Sequence, residues 1–195
     1  FARYRFRTFL ARDPYNVEHI IRGQELRRIG AKSLGLMHAL PSFARRLSIW
    51  RYLEFDTFYV FGDGIKKHYA DTWPEEMDVC AVGGFRSPEK SPADILEHRS
   101  SDIAVFAVPT LDAPYMIDLV RRLADAFPDR RIHLKVKPGY HYLDTDRQYR
   151  EAFDGPTGNV VVSDEDSYEL MGRVCYVISN PSSVIAEAIH AGAYS

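Results

Sequence analysis

Eight polar residues of this chain are of the types that bind or turn over a phosphorylated ligand: His38, Asp63, Arg86, Lys135, Lys137, Ser182, Ser183 and Glu187. Arg86, Lys135 and Lys137 are cations for phosphate oxygens. Ser182 and Ser183 stand where a helix is expected to begin, and the first N–H groups of a helix have no partner within it. Glu187 follows four or five residues later, a carboxylate able to accept hydrogen bonds from vicinal hydroxyls such as those of a ribose. His38 is the histidine best placed to serve as a base towards an acceptor hydroxyl. Cations, N–H donors and one carboxylate suit a nucleoside diphosphate better than a free metabolite. The chain has no zinc-ligand spacing and no Walker loop. Each residue also has a plainer alternative: Glu187 as a surface residue of a capped amphipathic helix, His38 as a structural histidine after a strand.

The elements that must position these groups are legible in outline. Val174 to Ile178 is a short apolar run rich in β-branched residues, which suits a strand covered on both faces. Ser179-Asn180-Pro181 is turn chemistry. Val184, Ile185, Ala188 and Ile189 form the apolar face of a helix that Gly192 would stop. Upstream, a helix over 15–29, weakened by Gly23, leads to a strand over 33–37 that runs into His38. Residues 42–55 read as helix and then connection, and 57–61 as a strand followed by Gly62-Asp63-Gly64, a tight turn without the full dinucleotide fingerprint. A strand over 78–82 precedes Gly83-Gly84-Phe85-Arg86, and 87–102 reads as a loop. Strands at 103–108, 131–136 and 159–163 then alternate with helices at 113–127, 144–153 and 164–171. Asp144-Thr145-Asp146 and Asp164-Glu165-Asp166 fit helix caps better than metal ligands.

Strands alternating with helices imply an α/β fold with a parallel sheet and right-handed crossovers. In such sheets ligands lie across the carboxyl ends of the strands, where all eight polar residues fall. The expected boundary lies near residue 56, with 1–55 as the tail of a separate lobe and 56–195 as a nucleotide-binding domain. Phe1 and Ser195 are unusual termini, so a fragment of a longer protein is expected.

With 195 residues and 46% hydrophobic content, the chain can bury a substantial core. A net charge of −2 argues against a nucleic-acid binder held by bulk electrostatics. Residues 1–51 are nevertheless basic, which suits an anionic substrate, a phosphorylated lipid or a membrane surface; a solvated basic helix face is the plainer account. Cys80 and Cys175 read as buried free thiols of a cytoplasmic protein, and no apolar run is long enough to span a bilayer.

Several of these stretches resemble one family. Val177-Ile-Ser-Asn-Pro-Ser-Ser-Val-Ile-Ala-Glu-Ala-Ile-His-Ala-Gly192 is similar to the C-terminal donor-binding motif of GT-B glycosyltransferases, a serine-bearing turn followed by Glu-Ala and then glycine. Ala126-Phe-Pro-Asp to Leu134-Lys-Val-Lys-Pro-Gly139 resembles the "fP…lK-x-HP" segment of bacterial surface-polysaccharide and teichoic-acid-type transferases. Gly35 to Pro41 is similar to their "qHG-x-P" turn. Phe61-Gly62 and Val82 to Arg86 match the "fG…vG…r" strands that open their second domain. Lys137 stands where the family has histidine, and Ala39 where it has glycine. The resemblance implies a GT-B-like fold with a Rossmann-type donor domain, and transfer of a sugar from a nucleotide-sugar donor to a polysaccharide or glycolipid acceptor. No metal cofactor is implied. A cytoplasmic location, with peripheral contact at the inner membrane face through the basic N-terminal region, is the matching expectation. A nucleotide-sugar 2-epimerase and a non-catalytic nucleotide-binding scaffold are the rivals on the same fold.

Overall fold

The computed structural model describes residues 6–12, 17–38, 48–84, 99–107, 113–136, 144–153, 158–180 and 182–195. The chain divides into two compact units, Phe1–Arg86 and Ser87–Ser195. Each contains one four-stranded sheet with every strand pair parallel. Among the described residues no helix is long and apolar enough to cross a membrane.

In the first unit β1 (Thr8–Arg12), β2 (Lys32–Leu36), β3 (Thr57–Val60) and β4 (Asp78–Ala81) lie side by side in chain order. α1 (Val17–Arg28) joins the first pair, a 3-10 turn (Ser48–Tyr52) precedes β3, and α2 (Asp63–His68) follows it. Right-handed crossovers that always advance in one direction place their connections on one face of the sheet. That face carries the core: Ala11, Met37, Phe58, Val60 and Val79 packed with Trp50, Leu53, Phe55 and Met77. Side chains alternate along a strand, so the other face holds exposed Leu10 and half-buried Leu34, Leu36 and Tyr59.

The core is aromatic and tight. The Trp50 and Trp73 rings meet edge-on at 5.5 Å, and Phe55 stacks on Phe58 at 5.9 Å. A Cβ at Gly35 would lie 2.6 Å from a Phe58 ring carbon and 2.7 Å from one of Phe55. Both rings are buried and already stacked, so neither can retreat. Gly35→Ala is therefore expected to destabilise this unit by about 1–3 kcal/mol, seen as a lower urea midpoint with unchanged slope. The Gly23 that weakens α1 in isolation has a similar reason, because a Cβ there would lie 2.2 Å from the Glu54 carbonyl oxygen.

The second unit contains β5 (Ser100–Ala107), α3 (Ala113–Ala126), β6 (Ile132–Val136), α4 (Asp144–Phe153), β7 (Val160–Val162), α5 (Ser167–Arg173), β8 (Val174–Ser179) and α6 (Ser183–His190). The sheet order is β7-β6-β5-β8. The chain thus builds outward from β5 to β7, then crosses back to add β8 on the other side of β5. This is the order of the first four strands of a doubly wound Rossmann sheet, with its topological switch point between β5 and β8. Reversing direction also switches the covered face. Met116 and Val120 of α3 and Tyr149 of α4 pack on Ile103, Val105, Ile132 and Leu134. Leu170 and Met171 of α5 and Ala188 of α6 pack on Ala104, Phe106 and Val177. Tyr194 continues the sheet, bridging in parallel to Tyr176.

Several expectations are corrected. The boundary near residue 56 moves, since β3 and β4 pair with β2 and belong to the first unit. Strand-like runs at 57–61 and 78–82 carry no mark of which sheet they join, and β1, which was not anticipated, starts a sheet ahead of them. Residues 48–52 form a 3-10 turn rather than α-helix, and β5 begins at Ser100, inside the expected loop. The loop over 87–98 and the helix start at 42–47 lie outside the described residues. Cys80 and Cys175 are free but only half-buried.

Candidate functional site

The switch point of the second unit supplies the most completely built site. β8 ends at Ser179, and α6 opens on Ser182 as N-cap, with extended φ and ψ of −153° and 161°. Ser182 Oγ accepts a hydrogen bond from the Val184 N–H at 3.3 Å, so this hydroxyl is engaged in capping. Ser183, the first helical residue, has an N–H without an intrahelical acceptor. The Glu187 side chain is half-buried one turn further along and, among the described residues, makes no hydrogen bond or ion pair. Two groups that sequence inspection took only as turn chemistry stand out beside them. Ser179 Oγ and Asn180 Nδ2 are buried from solvent yet have no hydrogen-bond partner among the described residues. Unpaired buried polar groups are costly, and a ligand at this turn would satisfy them.

Lys135 sits on the same row of the sheet. Its register partner is Phe106, and that of Phe106 is Ser179. Two inter-strand steps put Lys135 and Ser179 about 10 Å apart at the backbone. Lys135 is 8% exposed and, among the described residues, its ammonium makes no hydrogen bond or ion pair. Its charge helps hold the Asp164 and Glu165 carboxyls below their ordinary range, behind the larger effects of Arg150 on Asp164 and Arg173 on Glu165. A buried cation without a bonded anion, at the carboxyl edge of a parallel sheet, is suited to an anionic ligand.

Towards the amino end of the same face the charges are paired. Asp102 Oδ2 lies 3.2 Å from His133 Nε2, and Arg173 clasps Glu165 at 2.6 Å and 3.2 Å. Burial pushes the Asp102 carboxyl up, but hydrogen bonds from His133, Ser100 and the Arg131 backbone N–H outweigh it and hold the carboxyl low. The Arg173 guanidinium does the same for Glu165. Carboxyls depressed in the folded state stabilise it fully above their ordinary values of 3.8 and 4.5, and lose that contribution as pH falls through the folded values. The melting temperature of the second unit should accordingly hold steady near neutrality and drop as pH is taken below about 4. Asp102→Asn should flatten that acid limb; an unchanged slope would show that the carboxyl is not depressed.

The remaining candidates divide by position. His38 and Asp63 belong to the first unit. His38 follows β2 at its carboxyl end, is half-buried, and accepts a 2.8 Å hydrogen bond at Nδ1 from Arg12 Nε. Asp63 is the exposed first residue of the six-residue α2, where the helix dipole favours an acid. Arg86 and Lys137 lie outside the described residues, as does Ala39. Of the two acidic clusters, Asp166 caps α5 through the Tyr168 and Glu169 N–H groups, while Asp164 pairs with Arg150 and Asp144 with Arg147. Among the described residues no group of three or more His, Cys, Asp or Glu is arranged to hold a metal.

No family model matches the chain, and no curated protein does. Among solved structures it is similar to Staphylococcus aureus TarM, a GT-B teichoic acid glycosyltransferase crystallised as a mutant in complex with Fondaparinux, alpha-GlcNAc-glycerol and UDP. The TM-score is 0.50 with 10% sequence identity, over 84% of this chain and 36% of that one. The chain therefore spans about a third of that protein's length. At this identity the likeness concerns the fold alone: an α/β arrangement of parallel, Rossmann-type sheets.

Proposed function

We propose that the protein transfers a sugar, or a related nucleotide-activated group, from a nucleoside-diphosphate donor to a polysaccharide or glycolipid acceptor. The observation that carries this reading is the turn between β8 and α6. It lies at the switch point of a parallel sheet, opens a helix on the N-cap Ser182, and keeps Ser179 Oγ and Asn180 Nδ2 buried and without a hydrogen-bond partner among the described residues. The donor diphosphate would lie along this edge, on the helix N–H groups and the Lys135 ammonium. Glu187 would accept from the ribose hydroxyls. Charge that builds on the leaving diphosphate would be met by donors already in place, with Arg86 and Lys137 as further cations. In the first unit, Asp63 would bind substrate and His38 would act towards an acceptor hydroxyl. No metal cofactor is expected. Basic residues among the first 51 positions would let the chain reach an anionic membrane that carries a glycolipid acceptor. The UDP named in the TarM complex agrees with a nucleotide ligand on such a fold.

The test is thermal denaturation of the whole chain with UDP, CDP or GDP beside the matching nucleosides. A ligand that prefers the native state must raise the melting temperature. At least one diphosphate should do so at millimolar concentration while its nucleoside does not. Equal or absent shifts across the panel would remove the site.

A further inference from the structure

We infer that Arg150 and Arg173 are positioning residues for an anionic ligand at the carboxyl edge of the second sheet: each holds a carboxylate that would otherwise pair with Lys135, and so leaves that ammonium open. Ile132, Leu134 and Val136 pack on the α3 and α4 side of β6, so His133 and Lys135 face the α5 and α6 side. The Ser163 N–H donates to the Leu134 carbonyl at 2.8 Å, which sets Ser163 beside Lys135 across a strand spacing of about 5 Å. Asp164 and Glu165 follow Ser163 directly. Both carboxyls sense the Lys135 charge, which helps hold them low.

Neither acid bonds Lys135, because each is already taken. Arg150 of α4 grips Asp164 in a fork, Nη2 to Oδ1 at 2.6 Å and Nη1 to Oδ2 at 3.3 Å. Arg173, the last residue of α5, grips Glu165 through Nη2 to Oε2 at 2.6 Å and Nε to Oε1 at 3.2 Å. A planar guanidinium meets both oxygens of a carboxylate at once, whereas an ammonium meets it as a point charge. Lys135 is only 8% exposed, so a released carboxylate would pair with it and offset part of the cost of burying its charge. An incoming anion would then have to displace that carboxylate. That the anion is a diphosphate rests on the proposed transfer, whereas the guarding of Lys135 does not.

Arginine-to-lysine exchange keeps the charge and removes the fork, so it separates this guard from long-range electrostatics. In the whole chain carrying isotope-labelled lysine, the Lys135 ammonium resonance is identified by its loss in Lys135→Met. It should shift in Arg173→Lys and in Arg150→Lys, and return when Glu165→Gln or Asp164→Asn, respectively, is added. A resonance unmoved by either exchange would strip that arginine of the role, whatever binds. The Arg150 side chain is 45% exposed, so its variant gives a reading even where Arg173→Lys fails to fold. In calorimetric titration with UDP, either exchange should cost about 5- to 30-fold in affinity. Glu165→Gln should recover that loss in Arg173→Lys while changing wild-type affinity by no more than about threefold. Equal effects of Glu165→Gln in the two backgrounds would overturn the guard. A resonance that shifts as expected while UDP, CDP and GDP all fail to bind would leave the guard standing and reject the transfer reading.

Discussion

Glu187→Ala is expected to weaken nucleoside diphosphate binding by about 1–3 kcal/mol, roughly 5- to 150-fold. The side chain is half-buried one turn into α6 and makes no hydrogen bond or ion pair among the described residues, so its carboxylate is not engaged in holding the fold. A carboxylate that accepts from two ribose hydroxyls makes charge-assisted bonds, and their loss falls in that range. Ribose is bound alike in the ground and transition states, so the kinetic effect should appear in KM more than in kcat. A mere surface glutamate would instead leave affinity alone and shift stability by less than about 0.5 kcal/mol. Calorimetric titration distinguishes the two, and wild-type affinity in the variant would show that the turn has been misassigned.

Arg99→Met should lower the stability of the second unit by about 2–4 kcal/mol. Arg99 stands just ahead of β5 and donates through Nη1 to the Val174 carbonyl at 2.8 Å and through Nη2 to the Ala191 carbonyl. It thereby ties the start of β8 to the last turn of α6. Burial pushes the guanidinium pKa down, and its Nε has no hydrogen-bond partner among the described residues, so the group holds its place at some electrostatic cost. Methionine would fill much of the volume while orphaning both carbonyls. Arg99→Lys should recover only part of the loss, because one ammonium cannot reproduce the fork. Urea unfolding with an unchanged midpoint in Arg99→Met would dismiss the clamp.

The parts of this fold legible in sequence are those written in local pattern. Met116, Val120 and Leu123 recur at helical spacing and do line the buried side of α3, and the apolar run of β8 is a strand. Which sheet a strand joins depends on partners far away in sequence, and no local pattern of β3 or β4 records it. β1 escaped because it is short, basic at both flanks and exposed at three of five positions. The same divide runs through the candidate site. Ser182 was legible as a cap because capping is local chemistry. That Ser179 Oγ and Asn180 Nδ2 are buried without a partner among the described residues arises from tertiary packing, and Arg12 meets His38 across two strands, so neither was visible.

The sheet order of the second unit also sets an order in time. β5, β6 and β7 pair with neighbours that follow closely in the chain, whereas β8 must return to β5 across a long intervening stretch; Arg99 and Val174, which it brings together, are 75 positions apart. Closing so long a loop costs entropy before any contact compensates, and such pairings slow folding. β8 and its serine turn are thus expected to dock last, onto a three-stranded half already formed. During synthesis the turn between β8 and α6 exists only once this final strand has been made and has closed on β5. A nucleotide bound there would count only molecules that have finished folding, and its effect would fall on the rate at which β8 detaches rather than on the rate at which the first three strands assemble.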